Sequence, residues 1–159
     1  RVKMACLAQL VNVIAPIMTS DTGAWRQTIF YPYMYTSIFG RGTVLNTQVL
    51  APVYDSRNYC DVSYLDSVCV WNEEKDTLTI FAVNKSLEED LEVSCDLRQF
   101  EGYQVQEHIV LTNDDMKAVN TEADPEKVVP VKSAASRIDG GKLSTVLGKH
   151  SWNMIRFAK

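Results

Sequence analysis

Paired carboxylates can carry hydrolytic chemistry, one serving as acid and base while the other attacks or activates water. The sequence carries two acidic clusters, Glu73, Glu74 and Asp76, and Glu88, Glu89 and Asp90. Both fall in polar turns beside apolar strands, and neither has the apolar setting that tunes a carboxyl for proton transfer. A solvated face is the simpler reading. Nucleophilic catalysis has no foothold, since no Gly-x-Ser-x-Gly elbow, Gly-x-Gly-x-x-Gly turn or P-loop occurs. His108 and His150 stand alone, and Cys6, Cys60, Cys69 and Cys95 include no Cys-x-x-Cys pair, so neither a metal site nor a cofactor is expected. Buried free thiols fit this spacing, and a disulfide joining Cys60 or Cys69 to Cys95 is the alternative for a secreted protein.

A more specific signal lies in Gly23-Ala24-Trp25-Arg26-Gln27-Thr28. Trp25 offers a stacking face, and the Gln27 amide offers both a donor and an acceptor for hydroxyls, which is the composition of a sugar subsite. The competing reading makes Trp25 a packing residue and Arg26 a surface ion-pair partner.

The elements that must position these residues change character along the chain. Met4 to Gln9 favours helix, and Leu10 to Ile17 is β-branched and continuously apolar, as in a parallel strand covered on both faces. The polar loop Thr19 to Gly23 follows, where α/β folds place ligand contacts. Pro32 to Phe39 reads as a short helix, with Pro32 in the first turn and Gly40 at a left-handed position beyond its end.

Beyond Gly42 short alternating strands take over. Ser67 to Trp71 and Leu78 to Val83 flank the polar turn Asn72 to Asp76 and predict a hairpin. Leu91 to Leu97 alternates strictly, and Tyr103 to Leu111, Val128 to Val131 and Ser151 to Phe157 are further strands. The pattern predicts a mainly β chain: an antiparallel, jelly-roll-like sandwich over residues 43–159, preceded by a piece of α/β structure over residues 1–42. One parallel strand cannot stand alone, so residues 1–42 are expected to be disordered, packed on the sandwich, or buried by another copy.

Length and composition narrow the function. A chain of 159 residues has no room for a complete catalytic barrel. A net charge of −4 gives a phosphate backbone no electrostatic support, so nucleic acid is excluded as a partner. The apolar run from Met4 to Met18 is interrupted by Gln9, Asn12 and Pro16 and is too short for a membrane span. The start at Arg1 looks like a cut inside a longer protein.

The string from Lys3 to Ile17, with Gly23 to Pro32, closely resembles the carboxyl-terminal region of the α-L-arabinofuranosidases of glycoside hydrolase family 51. The resemblance continues through Asn72-Glu73-Glu74, Leu78 to Asn84, Glu107-His108, Lys117 to Thr121, Pro125 to Pro130 and Ser151-Trp152-Asn153, and so covers essentially the whole chain. It implies that residues 1–42 are the last strand, active-site loop and last helix of a (β/α)8 barrel, and that residues 43–159 are the family's sandwich. It implies that Gln27 faces arabinose in the glycone subsite, with Trp25 a neighbouring candidate. The family's two catalytic glutamates precede this region, and no Glu here matches either motif, so the chain alone is expected to be inactive. The substrate implied is a terminal arabinofuranosyl group of arabinan, arabinoxylan or an arabino-oligosaccharide. A cytoplasmic location is expected, with secretion as the alternative, and a homo-oligomer is compatible. A reading from another class makes the sandwich a sugar-binding module with Tyr54, Tyr59, Tyr64, Trp71 or Tyr103 as an exposed platform; a third makes it a structural cap or oligomerisation surface.

Overall fold

The computed structural model describes residues 4–159. Arg1, Val2 and Lys3, the last of which opens the string Lys3 to Ile17, lie outside the described residues. In chain order the elements are β1 (Ile17–Thr19), β2 (Ala24–Arg26), α1 (Phe30–Phe39), β3 (Thr43–Val44), β4 (Val53–Tyr54), β5 (Val62–Ser63), β6 (Leu65–Asn72) and β7 (Thr77–Asn84). Then follow β8 (Leu91–Asp96), a 3-10 turn at Arg98–Phe100, β9 (Gln104–Leu111), β10 (Val131–Lys132), β11 (Arg137–Asp139), β12 (Lys142–Leu147) and β13 (Ser151–Ala158). All the ladders between these strands are antiparallel.

A six-stranded sheet in the order β10-β9-β13-β7-β6-β3 faces a three-stranded sheet in the order β11-β12-β8. Their inner faces meet in one core, with Cys69, Leu78, Ala82, Ile155 and Phe157 from the large sheet against Leu143 and Leu147 from the small one. Leu91–Asp96 alternates half-buried and exposed residues along its length, as its sequence predicts for a strand with one solvated face. The predicted hairpin forms as β6 and β7, and the Asn72 side-chain carbonyl accepts the Lys75 N–H at 2.9 Å to fold its turn.

Consecutive buried residues in the central strands show that the large sheet is covered on both faces. In β13, Ile155 points into the sandwich, while Met154 joins Val70, Phe81 and Ile109 on the opposite face. There α1 lies across the sheet: Tyr31, Tyr35 and Phe39, one turn apart, pack on Leu111, Val128 and Trp152 and on the Val70 cluster. The predicted helix is therefore present and packs on the sandwich. Its end differs from expectation. Gly40 has φ −87° and is not left-handed. It is needed for closeness instead, because a Cβ there would sit 2.6 Å from the Thr36 carbonyl oxygen that receives its N–H.

Residues 4–17 depart from the sequence reading. Met4 to Gln9 forms no helix, and Leu10 to Ile17 forms no continuous parallel strand. Only Val11 makes a single parallel bridge, to Ile17, and strand begins at Ile17 in a hairpin with Ala24–Arg26. A parallel strand takes its hydrogen bonds from neighbours on either side, and no such neighbour lies beside this segment among the described residues. Leu10, Val13 and Ile14 are consequently 77%, 80% and 71% exposed. Val128 to Pro130 also forms no strand; only Val131–Lys132 pairs, with Val110 and Ile109. The β11–β12 hairpin, unforeseen, turns on Gly140 and Gly141 at φ +53° and +74°, a two-residue turn whose Gly-Gly signal was present in the sequence.

Candidate functional site

The β1–β2 hairpin carries the residues singled out for sugar binding. Its register pairs Ile17 with Arg26, Met18 with Trp25 and Thr19 with Ala24. Asn12 secures its near strand, accepting the Thr19 N–H at 2.8 Å and donating to the Thr19 hydroxyl at 2.9 Å. The Gln27 N–H donates to the Pro16 carbonyl at 2.8 Å, which continues the pairing one residue past the strand. Gln27 thus leaves the hairpin at a fixed backbone position before the chain enters α1.

Side-chain alternation along β2 splits the expected trio. Arg26 is exposed and lays its guanidinium on Phe30, 5.1 Å from Cζ to ring centroid. Trp25 is half-buried, and its indole N–H is buried without an acceptor among the described residues. That N–H is not open to a ligand, so only the ring of Trp25 could meet a sugar. Gln27 is half-buried, and its Nε2 donates to the Asn120 carbonyl at 3.3 Å.

Two residues that sequence reasoning missed hold this hairpin from the far side of the chain. Asn120 is 1% exposed. Its Nδ2 donates to the Arg26 carbonyl at 2.9 Å and to the Val128 carbonyl at 3.0 Å, and its Oδ1 accepts the Val128 N–H at 2.8 Å. Glu122 accepts from the Ser20 hydroxyl at 2.8 Å and the Thr22 hydroxyl at 2.5 Å, and these two donors hold its carboxyl below the ordinary carboxylate range. No sequence signal links these partners, which lie about a hundred positions apart.

The other candidates stay apart. Trp71 packs edge-on against Phe100 with centroids 6.2 Å apart, and Tyr103 is buried with its hydroxyl donating to the Asp76 carboxylate. Tyr54 and Tyr64 pack on each other with centroids 4.6 Å apart, and Tyr59 is exposed in the loop between β4 and β5. These five aromatics form no single exposed platform. Cys6, Cys60, Cys69 and Cys95 are all free thiols, so the alternative disulfide is not made. His108 is a satisfied core residue between Asn153 and Ser136. Among the described residues no group of three His, Cys, Asp or Glu could hold a metal ion, and no helix is long and apolar enough to cross a membrane.

The family described as the alpha-L-arabinofuranosidase C-terminal domain matches residues 1–151. The chain belongs to this family. Across its whole length this arabinofuranosidase C-terminal domain is 56% identical to an intracellular exo-alpha-(1->5)-L-arabinofuranosidase of Halalkalibacterium halodurans, of which it covers 32%. It is 51% identical to the corresponding enzyme 1 of Bacillus subtilis, again over 100% of this chain and 32% of that protein. Among solved structures, a family 51 alpha-L-arabinofuranosidase from Bifidobacterium longum superposes with a TM-score of 0.87 at 33% identity, over 94% of this chain and 30% of that one. The C-terminal domain therefore spans about a third of the length of its relatives.

Proposed function

We propose that this chain is the carboxyl-terminal part of a retaining exo-acting α-L-arabinofuranosidase that removes terminal non-reducing α-L-arabinofuranosyl groups from arabinan, arabinoxylan or arabino-oligosaccharides. The observation that carries this reading is the identity of 56% to a named exo-arabinofuranosidase across the chain's whole length. Residues 1–42 then close the catalytic barrel, and residues 43–159 form the sandwich that packs beside it. The exposed side chains of Leu10, Val13 and Ile14 support that division, because they present the apolar surface that a neighbouring barrel strand and helix would cover.

The reaction requires two carboxylates about 5 Å apart, one forming and releasing a covalent glycosyl-enzyme while the other transfers the proton. In this reading both are glutamates of the barrel strands that precede Arg1. Gln27 supplies binding. One Nε2 hydrogen is engaged by a carbonyl, which can only accept, so the amide oxygen and the second Nε2 hydrogen are left for hydroxyls of the glycone. Trp25 borders the same subsite through its ring. Relatives described as intracellular support a cytoplasmic location.

An aryl α-L-arabinofuranoside assay tests the reading. The full-length protein turns the substrate over, the isolated 159-residue chain does not, and Gln27→Ala in the full-length protein lowers kcat/KM about tenfold or more. Turnover by the isolated chain, scaling with its concentration, would refute the assignment of the catalytic pair to the barrel.

A further inference from the structure

The loop from Thr112 to Pro130 belongs to the sandwich by sequence, yet its middle reaches the hairpin that carries Gln27. It makes three separate attachments there. The Asn120 side chain ties the Arg26 carbonyl, the Asn120 main-chain carbonyl takes the Gln27 Nε2 hydrogen, and Glu122 takes the hydroxyls of Ser20 and Thr22 in the tight turn. Because Asn120 is buried and also closes its own loop through both polar atoms on Val128, it is held rigid at the point where it meets Arg26 and Gln27.

We propose that the sandwich completes the glycone subsite, with Asn120 and Glu122 acting as positioning residues for Gln27. This rests on the reading of Gln27 as a glycone contact. Asn120 sets which end of the Gln27 amide faces outward. A carbonyl can engage only the NH2 group, so the flipped orientation is disfavoured and the amide oxygen, with the remaining N–H beside it, is presented to sugar hydroxyls. Glu122 fixes the opposite end of the hairpin, so that the backbone of residues 24–27 cannot tilt about Asn120. Neither residue needs to touch the sugar. A displacement of about 1 Å in a binding group can cost a hundredfold in rate, so two anchors on a hairpin whose strands are only three residues each are consequential.

The test is a double-mutant cycle in the full-length protein, using Gln27→Ala, Asn120→Ser and Glu122→Ala with an aryl α-L-arabinofuranoside as probe. Expected for Asn120→Ser is a fall in kcat/KM of about ten- to hundredfold with Gln27 present, and a change below about twofold in the Gln27→Ala background. Glu122→Ala, at an exposed position that the fold tolerates, follows the same non-additive pattern and decides the matter if Asn120→Ser does not fold. Equal losses with and without Gln27, or an unchanged kcat/KM accompanied only by a lower melting temperature, overturn the positioning role. If Gln27→Ala alone leaves kcat/KM unchanged, the glycone reading itself falls and the positioning role with it, an outcome distinct from additivity.

Discussion

Arg156 on β13 lays its guanidinium over the ring of Phe39 in the last turn of α1, with Cζ 4.1 Å from the centroid, while the same guanidinium pairs with Glu107 on β9. The contact fastens the helix to the outer face of the large sheet. It joins the part of the chain that carries the candidate site to the sandwich beneath it. Removing the ring forfeits partly buried apolar area and a cation–π contact. Phe39→Ala is expected to cost about 2 kcal/mol in urea unfolding, whereas Phe39→Tyr, which keeps the ring, costs under about 0.5 kcal/mol. Equal stability of the two variants would show that the helix end contributes nothing to the fold.

Burial of His108 gives the protein an acid-sensitive core. Its Nε2 lies 3.1 Å from the Asn153 side-chain oxygen, and its Nδ1 lies 2.9 Å from the Ser136 hydroxyl, which in turn meets Thr145 Oγ1 at 2.9 Å. Asn153 Oδ1 only accepts, so the neutral ring carries its proton on Nε2. Desolvation pulls the imidazole below its ordinary 6.5, partly opposed by the Asn153 bond. The unfolded chain therefore binds a proton more readily than the native state, and stability is lost as pH falls from about 6.5 toward the lower native value. The stability advantage of wild type over His108→Gln, measured by urea unfolding, should shrink across that range. A difference independent of pH between 7 and 5 would contradict it.

Much of the sandwich is legible in the sequence because its strands carry their own signals. Leu91–Asp96 alternates, the β6–β7 turn is polar, and α1 has proline in its first turn with aromatic residues one turn apart. What is not legible depends on partners distant in sequence. Leu10 to Ile17 reads as a buried strand from its β-branched run, but strand is a property of paired segments and only its last residue enters a ladder. Asn120 is one of several asparagines in polar loops, and its importance comes from the Arg26 carbonyl that the fold brings to it. Gln27 stands out in the sequence through its motif, whereas nothing in the sequence marks Asn120 and Glu122 as its neighbours.

The two core thiols should be chemically silent. Burial, with the neighbouring Cys95, pushes the Cys69 thiol up to about 12, and burial likewise raises Cys95. At pH 8 the thiolate fraction of Cys69 is then about one part in ten thousand, and thiolate is the reacting form. Cys6 and Cys60 are exposed. Titration with an aromatic disulfide reagent at pH 8 should give two fast thiols in the native chain and four after denaturation, with Cys60→Ser removing one of the fast ones. Rapid modification of Cys69 would mean that the space between the sheets opens readily.

Gly42, between α1 and the first strand of the large sheet, joins the two parts of the chain through a conformation that other residues resist. Its φ is +143°, and a Cβ there would lie 2.3 Å from the Trp71 carbonyl oxygen, which is main chain and cannot swing aside. Gly140 provides the internal comparison: its φ of +53° is also left-handed, but a Cβ there meets nothing within 4 Å. Conformational strain alone should make Gly140→Ala cost about 1 kcal/mol, while strain and collision together should make Gly42→Ala cost about 3 kcal/mol or more. The Gly42 variant must also shift β3 off Trp71 and Val70, which it pairs through Thr43 and Val44. Hydrogen exchange should therefore show faster opening of the β3 edge in Gly42→Ala and unchanged protection there in Gly140→Ala. Equal unfolding free energies for the two variants would remove the steric part of the argument and leave only the backbone angle.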